Sequence, residues 1–169
     1  MAFLYDTETM AYNRNMIKLQ SVIKLKPLII GMGNELRGDD AAGIVLVQKL
    51  QKAGYPYTLV VFDTPENYLH KIASTKVKAR LWVDIINWES HPGDYKIFLP
   101  QEIQHFAVST HNYSPTVLIE YLTPQRAVPD YFLGIQPLNL SLGSKISDPV
   151  QQTIDELMQM IKKETDMNL

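Results

Sequence analysis

Short apolar runs that alternate with helix-forming segments most strongly restrict how this chain folds. The first run, residues 26–32, enters a glycine-containing loop at residues 31–38, and apolar residues then recur at helical spacing from Asp39 to about Ala53. Further strands are predicted at residues 57–62, 80–84, 95–99 and 131–135, and further helices at 65–72, 114–121 and 147–161. This alternation predicts an α/β fold, a three-layer α/β/α sandwich with a twisted, mostly parallel five-stranded sheet.

One strand is expected to depart from the parallel arrangement. Residues 95–99 follow the preceding strand through the turn-forming segment His91-Pro-Gly-Asp94. Such a short connection joins antiparallel neighbours, so this strand is expected to be antiparallel or at an edge. The first clear core strand begins only near Leu25, so residues 1–24 are interpreted as a mobile N-terminal leader and residues 25–169 as a single domain.

Composition excludes several classes of site and location. No cysteine occurs among the 169 residues, which excludes disulfides, a thiol nucleophile and thiolate-bound zinc or iron–sulfur clusters. A formal net charge of −2 gives no basic field for nucleic acid or an anionic membrane. No apolar run approaches the ~20 residues of a membrane span, and the N-terminus lacks the regions of a signal peptide. A cytoplasmic protein without nucleic-acid binding or membrane insertion is expected.

The loop after the first strand suggests a dinucleotide site but matches it incompletely. Gly31 and Gly33 occupy the first two positions of G-x-G-x-x-G, whereas Leu36 stands in the third. Two acids, Asp39 and Asp40, open the following helix, where they would repel a pyrophosphate. The interpretation as a Rossmann-type nucleotide-binding module is therefore weakened. It stays open because Asp63, an acid at the end of the second strand, suits a ribose hydroxyl.

Two carboxylates point to an acidic pocket at one edge of the predicted sheet. Asp40 follows the first strand and Asp84 closes the third, and ligand sites of open α/β sheets lie beyond such carboxyl ends. A structural role is also open for these acids. Capping of the helix would account for one of the two acids at residues 39 and 40, and hydrogen bonds to backbone amides at a strand end would account equally well for Asp84. His111 precedes the helix after the fourth strand, where a lone histidine is more often structural than a ligand.

Five segments along the chain, taken in order, resemble the motifs of one protein family. The first is Gly31-Met-Gly-Asn-Glu-Leu-Arg-Gly-Asp-Asp-Ala-Ala-Gly43, which resembles the signature G-x-G-N-x-L-x-x-D-D/E-x-x-G of the hydrogenase maturation proteases. Asp63-Thr-Pro-Glu-Asn67 and Trp82-Val-Asp84 resemble the segments at the second and third strands. Ser109-Thr-His-Asn112 and Phe132-Leu-Gly-Ile-Gln-Pro137 resemble the branch that serves formate-hydrogenlyase-type hydrogenases.

The resemblance implies an endopeptidase that removes a C-terminal extension from the large-subunit precursor of a nickel–iron hydrogenase after nickel insertion. The family's metal-contact and catalytic positions carry over as Asp40, Asp84 and His111, and Asn34 carries over as a residue that shapes the loop. The nickel is expected to come with the substrate, and zinc or cadmium could replace it in vitro. The protease is expected to be a monomer whose partner is the precursor. A non-catalytic nickel chaperone with the same ligands remains an alternative, as does an α/β domain whose acids are only structural.

Overall fold

A sheet of five main strands forms the middle layer of the protein. The computed structural model describes residues 7–103, 107–108 and 115–166. The strands are β1 Leu28–Met32, β2 Thr58–Phe62, β3 Arg80–Asn87, β4 Tyr95–Phe98, β5 Ala107–Val108 and β6 Asp130–Ile135. The strand order is β2-β1-β3-β6-β4, with β1, β2, β3 and β6 parallel and β4 antiparallel at one edge, and the short strand β5 pairs antiparallel with β3. The prediction of a mostly parallel sheet, with residues 95–99 antiparallel or at an edge, is confirmed.

Helices cover both faces of the sheet, as the three-layer prediction requires. Side chains alternate along β3, so Leu81, Val83 and Ile85 join one apolar cluster while Trp82 and Ile86 join the other. The helices are α1 Thr7–Ile23, α2 Ala42–Lys52, α3 Leu69–Ser74, α4 Pro100–Ile103, α5 Pro115–Leu122 and α6 Asp148–Glu164. Helices α1, α2 and α6 pack on the first cluster and α3, α4 and α5 on the second.

The segment preceding the first strand differs from the mobile leader expected for residues 1–24. Residues 7–23 form helix α1, which packs against β4 and α6. Leu19, Val22 and Ile23 are buried in the same apolar cluster as α2 and α6. These three residues follow the i, i+3, i+4 spacing of one helix face, and burying them is what attaches the helix to the domain.

Local boundaries also differ from the prediction in ways that matter for the site. A 3-10 turn, Gly38–Ala41, precedes α2, and another, Pro65–Tyr68, precedes α3. Strand β3 continues to Asn87 instead of ending at Asp84, because Ile85 and Ile86 remain buried and paired with neighbouring strands. Asp84 therefore lies within a strand. Helix α4 and the two-residue strand β5 were not predicted, and residue 114, where one predicted helix begins, lies outside the described residues.

A buried ion pair joins the amino ends of β3 and β6. Arg80 donates from Nε and Nη2 to the two carboxylate oxygens of Asp130, each at 2.7 Å. The indole of Trp82 donates to the same carboxylate at 2.8 Å. This bidentate pair stabilises the alignment of the two strands. It lies at the opposite end of the sheet from Asp84 and from the carboxyl edge, which is the edge where the parallel strands end.

Candidate functional site

Two glycines allow the start of α2 to lie directly on the sheet. A Cβ added to Gly43 would collide with the carbonyl oxygen of Val83 and lie 2.7 Å from that of Met32. A Cβ added to Gly31 would lie 2.5 Å from the carbonyl oxygen of Gly43. Real Cβ atoms do not approach backbone this closely, so both positions require glycine. The close approach places the turn Gly38–Ala41 at the carboxyl edge, in contact with β3.

The loop after β1 folds back so that its backbone contacts the carbonyl group of Asp40. Gly33 has a positive φ of 129°, and a Cβ there would overlap the carbonyl oxygen of Asp40. The same carbonyl accepts a hydrogen bond from the N–H of Asn34 at 3.2 Å. In a dinucleotide site the second glycine provides space for the phosphates, whereas here the protein backbone fills that space. The structure therefore does not support the nucleotide-binding alternative.

Asp39 is a structural residue that ties the turn to a distant loop. Its buried carboxylate accepts hydrogen bonds from the N–H groups of Leu138 (2.7 Å), Asn139 (2.9 Å) and Ser147 (2.7 Å) and from the Ser147 hydroxyl (3.0 Å). The loop between β6 and α6 is therefore fixed against the loop after β1, and Asp39 has a full set of donors.

Asp40 and Asp84 lie where the connections between the strands of the sheet diverge. Asp40 and Asp84 are each only 2% exposed. Strand β1 pairs with β3 as far as Gly31 and Val83, so Asp84 is the first residue of β3 beyond that pairing. From β1 the chain passes through α2 to β2 on one side, and from β2 it returns through α3 to β3 on the other. The gap between β1 and β3 is thus the topological switch point, where α/β sheets bind ligands.

The family model of the hydrogenase maturation proteases (HycI) matches residues 44–164. The chain belongs to this family. The hydrogenase 3 maturation protease of Escherichia coli K12 is 28% identical over 138 residues, and the match covers 80% of this chain and 88% of the relative. A crystal structure of a maturation protease HycI from Thermococcus kodakarensis superimposes with a TM-score of 0.79 at 27% identity, covering 88% of this chain and 99% of that one. A solution structure of the Escherichia coli endopeptidase HycI gives 0.71 at 26% identity, covering 81% and 89%.

These matches confirm the predicted family, its hydrolase class and its α/β fold. Of the three predicted site residues, the structure places Asp40 and Asp84 at one edge of the sheet. The third, His111, lies outside the described residues. Within residues 7–103, 107–108 and 115–166, no three histidine or acidic side chains gather as a metal site. No helix in those ranges is long and apolar enough to cross a membrane.

Two polar side chains shape this edge of the protease. Asn34 accepts a hydrogen bond from the N–H of Leu36 at 2.9 Å, which agrees with its expected loop-shaping role. Gln136, only 5% exposed, accepts bonds from the N–H groups of Trp88 (3.0 Å) and Ser90 (3.3 Å) and donates to Asn87 Oδ1 at 2.9 Å. Gln136 thereby fixes the chain where it leaves β3. Sequence reasoning assigned it no role, because its partners lie more than 40 residues away.

Proposed function

We propose that this protease removes a C-terminal extension from the large-subunit precursor of a nickel–iron hydrogenase after nickel has been inserted, and that Asp40, Asp84 and His111 recognise the nickel. One observation carries the proposal: two buried carboxylates, Asp40 and Asp84, belong to a turn and a strand that are in contact at the topological switch point between β1 and β3. Membership of the family indicates the class of reaction. In this proposal the precursor binds at the carboxyl edge of the sheet.

The chemistry of the donor set suits a borderline divalent ion. Carboxylate oxygens and a neutral imidazole nitrogen together favour ions such as Ni²⁺ or Zn²⁺ over softer or harder metals. A cation brought to this edge would interact favourably with both buried carboxylates, and that attraction is stronger in the protein interior than in water. Nickel carried by the precursor therefore belongs to the substrate in this proposal, and zinc or cadmium is expected to occupy the same ligands in vitro.

The position of β5 makes His111 a feasible third ligand. Val108 pairs with Ile86, two residues beyond Asp84 on the same strand. His111 follows Val108 by three positions, and an extended chain of that length spans up to about 10 Å. The connection is therefore long enough for the imidazole to reach the region of Asp84, which supports the assignment that the family motif implies.

In this arrangement nickel insertion acts as a checkpoint for cleavage. The precursor without nickel offers nothing for the three side chains to bind, so its scissile bond is not held at the edge of the sheet. The precursor with nickel is fixed by its metal, and the peptide bond beside that metal is positioned for attack by water. The gain in rate comes from positioning.

The test is incubation of the purified protease with nickel-loaded and nickel-free large-subunit precursor, read by intact mass. Loss of the C-terminal extension is expected only from the nickel-loaded form. Asp40→Asn, Asp84→Asn and His111→Ala should each prevent shortening while their circular dichroism spectra match the parent. A matched control, Asp155→Asn, changes an exposed acid on α6 and should cleave normally.

Each result has a definite meaning for the proposal. Normal cleavage by any one of the three site variants would remove that residue from the site. Rapid shortening of nickel-free precursor would refute the checkpoint. Retention of nickel-loaded precursor without any shortening, in every candidate tested, would favour the nickel-chaperone alternative and overturn the proposed protease activity.

A further inference from the structure

The most exposed apolar side chains of the described residues gather on two loops beside the candidate site. Leu36, Leu138 and Leu142 are 66%, 61% and 77% exposed, more than any other large apolar side chain in residues 7–103 and 115–166 whose exposure is described. Leu36 lies in the loop after β1, and the other two lie in the loop between β6 and α6. We refer to these three leucines as the leucine rim.

Backbone hydrogen bonds hold the two loops of the leucine rim together. The N–H of Gly143 donates to the carbonyl of Leu36 at 2.7 Å, and the N–H of Asp39 donates to the carbonyl of Asn139 at 3.0 Å. The Asp39 carboxylate in turn accepts from the N–H of Leu138. The rim leucines are therefore presented on connected backbone that continues directly into the turn carrying Asp40.

Exposed leucines on fixed backbone are typical of a surface that binds another protein. Water contact with three leucine side chains costs free energy that burial would recover. Two loops that are already hydrogen-bonded to each other lose little further conformational freedom when a partner covers them. The carboxyl edge is also where a macromolecular substrate must lie if its metal is to reach Asp40 and Asp84. The rim is thus joined through hydrogen-bonded backbone to the turn that carries Asp40.

We propose that the leucine rim is the docking surface for an apolar segment of the hydrogenase large-subunit precursor next to its nickel. The inference rests on the proposed function and names the part of the protease that selects its protein substrate. The rim supplies binding energy remote from the reacting bond, and that energy holds the peptide over the edge of the sheet. Substitutions in the rim should therefore weaken precursor binding while the cleavage step itself is retained.

The experiment measures binding and cleavage separately, with the full chain and nickel-loaded precursor. The test variant is the double substitution Leu138→Ser and Leu142→Ser, and a second variant is Leu36→Ser alone. The matched control is Leu25→Ser, an exposed leucine between α1 and β1 at the amino end of the sheet. Equilibrium binding to immobilised precursor gives Kd, and intact mass against precursor concentration gives KM and kcat.

The double variant is expected to raise Kd and KM by about 10-fold to 100-fold, with kcat changed by less than about 3-fold. Leu36→Ser should have a smaller effect in the same direction, and Leu25→Ser should match the parent. Thermal unfolding of the rim variants with the same midpoint temperature as the parent will show that they are folded. Because the rim side chains are exposed, their replacement should not reduce stability.

Three outcomes would overturn the docking inference. Parent-like Kd and KM in the double variant would refute it while leaving the protease activity established. A change in oligomeric state of the free double variant would show that the rim binds a second copy of the chain. Equal weakening by Leu25→Ser would show that the effect is not specific to the rim. If the parent binds the precursor but never shortens it, the proposed function fails. The Kd values of the variants still show whether the rim binds the precursor.

Discussion

Replacing Asp39 should destabilise the protein far more than replacing its neighbour Asp40. The Asp39 carboxylate accepts four hydrogen bonds, three of them from backbone N–H groups of a loop 99 to 108 residues away. A hydrogen bond to a charged group contributes about 1.5–3 kcal/mol, and leaving a buried donor without an acceptor costs a similar amount. Asp39→Ala leaves all of these donors without the carboxylate.

The expected loss is about 3–6 kcal/mol for Asp39→Ala, because bonds that share one carboxylate are not additive. Asp39→Asn keeps one oxygen, which can still receive the donors now bound by Oδ2. Its new NH₂ group would face the N–H of Ser147, so a loss of about 2–3 kcal/mol is expected. A domain of this size has about 5–15 kcal/mol of stability in total. Asp39→Ala should therefore approach the limit of folding, and Asp39→Asn should remain folded.

Urea unfolding followed by circular dichroism measures both variants against the parent, with the exposed substitution Asp155→Asn as control. Hydrogen exchange adds a local reading, because the amides of Leu138, Asn139 and Ser147 should lose protection first. Asp40→Asn should unfold close to the parent while it fails to process precursor. A stability of Asp39→Asn within about 0.5 kcal/mol of the parent, with those amides still protected, would refute the structural role.

Three further predictions concern residues away from the site. Asp130→Ala leaves Arg80 buried without its carboxylate and should cost about 3–5 kcal/mol in urea unfolding; a loss below about 1 kcal/mol would contradict the pairing. Burial raises the pKa of Tyr55 above its ordinary value of 10.0, so the unfolded chain releases this proton first and stability should fall as pH rises above about 10. Tyr55→Phe should remove about 1 kcal/mol of that fall between pH 9 and 11, measured by urea unfolding of both proteins at each pH. Phe62 has a positive φ of 56°, so Phe62→Gly should be more stable than Phe62→Ala by about 1 kcal/mol in thermal unfolding, and the reverse order would exclude backbone strain there.

The architecture was predictable wherever the hydrophobic pattern changed sharply. The segment His91-Pro-Gly-Asp94 indicated that the following strand is antiparallel or at an edge, and β4 is both. The end of β3 was not predictable, because a strand buried on both faces has no alternation and Asp84 resembled a terminus. Helix α1 escaped prediction because its buried stripe, Leu19, Val22 and Ile23, is short and lies at the end of a largely polar segment.

The site was predictable only in part, since its supporting contacts are distant in sequence. The position of Asp40 after the first strand and of Asp84 on the third indicated a shared edge, and the sheet order places both at the switch point. The role of Asp39 depends on Leu138, Asn139 and Ser147, and no local pattern connects residues about 100 positions apart. Short-range spacing therefore indicated an acidic pocket, but it could not show which neighbouring acid supports the fold.

The consecutive acids have a geometric explanation in the turn that carries them. A 3-10 turn has three residues per turn, so successive side chains project about 120° apart. Asp39 can therefore bind the loop before α6 while Asp40, one residue later, takes a different direction near β3. A regular α-helix beginning at Asp39 would change this angle and the position of the turn on the sheet. Because Gly33 packs against the Asp40 carbonyl and Gly43 against β3, the turn has little freedom to shift. The hydrogen bonds that Asp39 accepts thus fix the position of Asp40. They also join the turn that carries this proposed metal-recognition residue to the loop that carries Leu138 and Leu142.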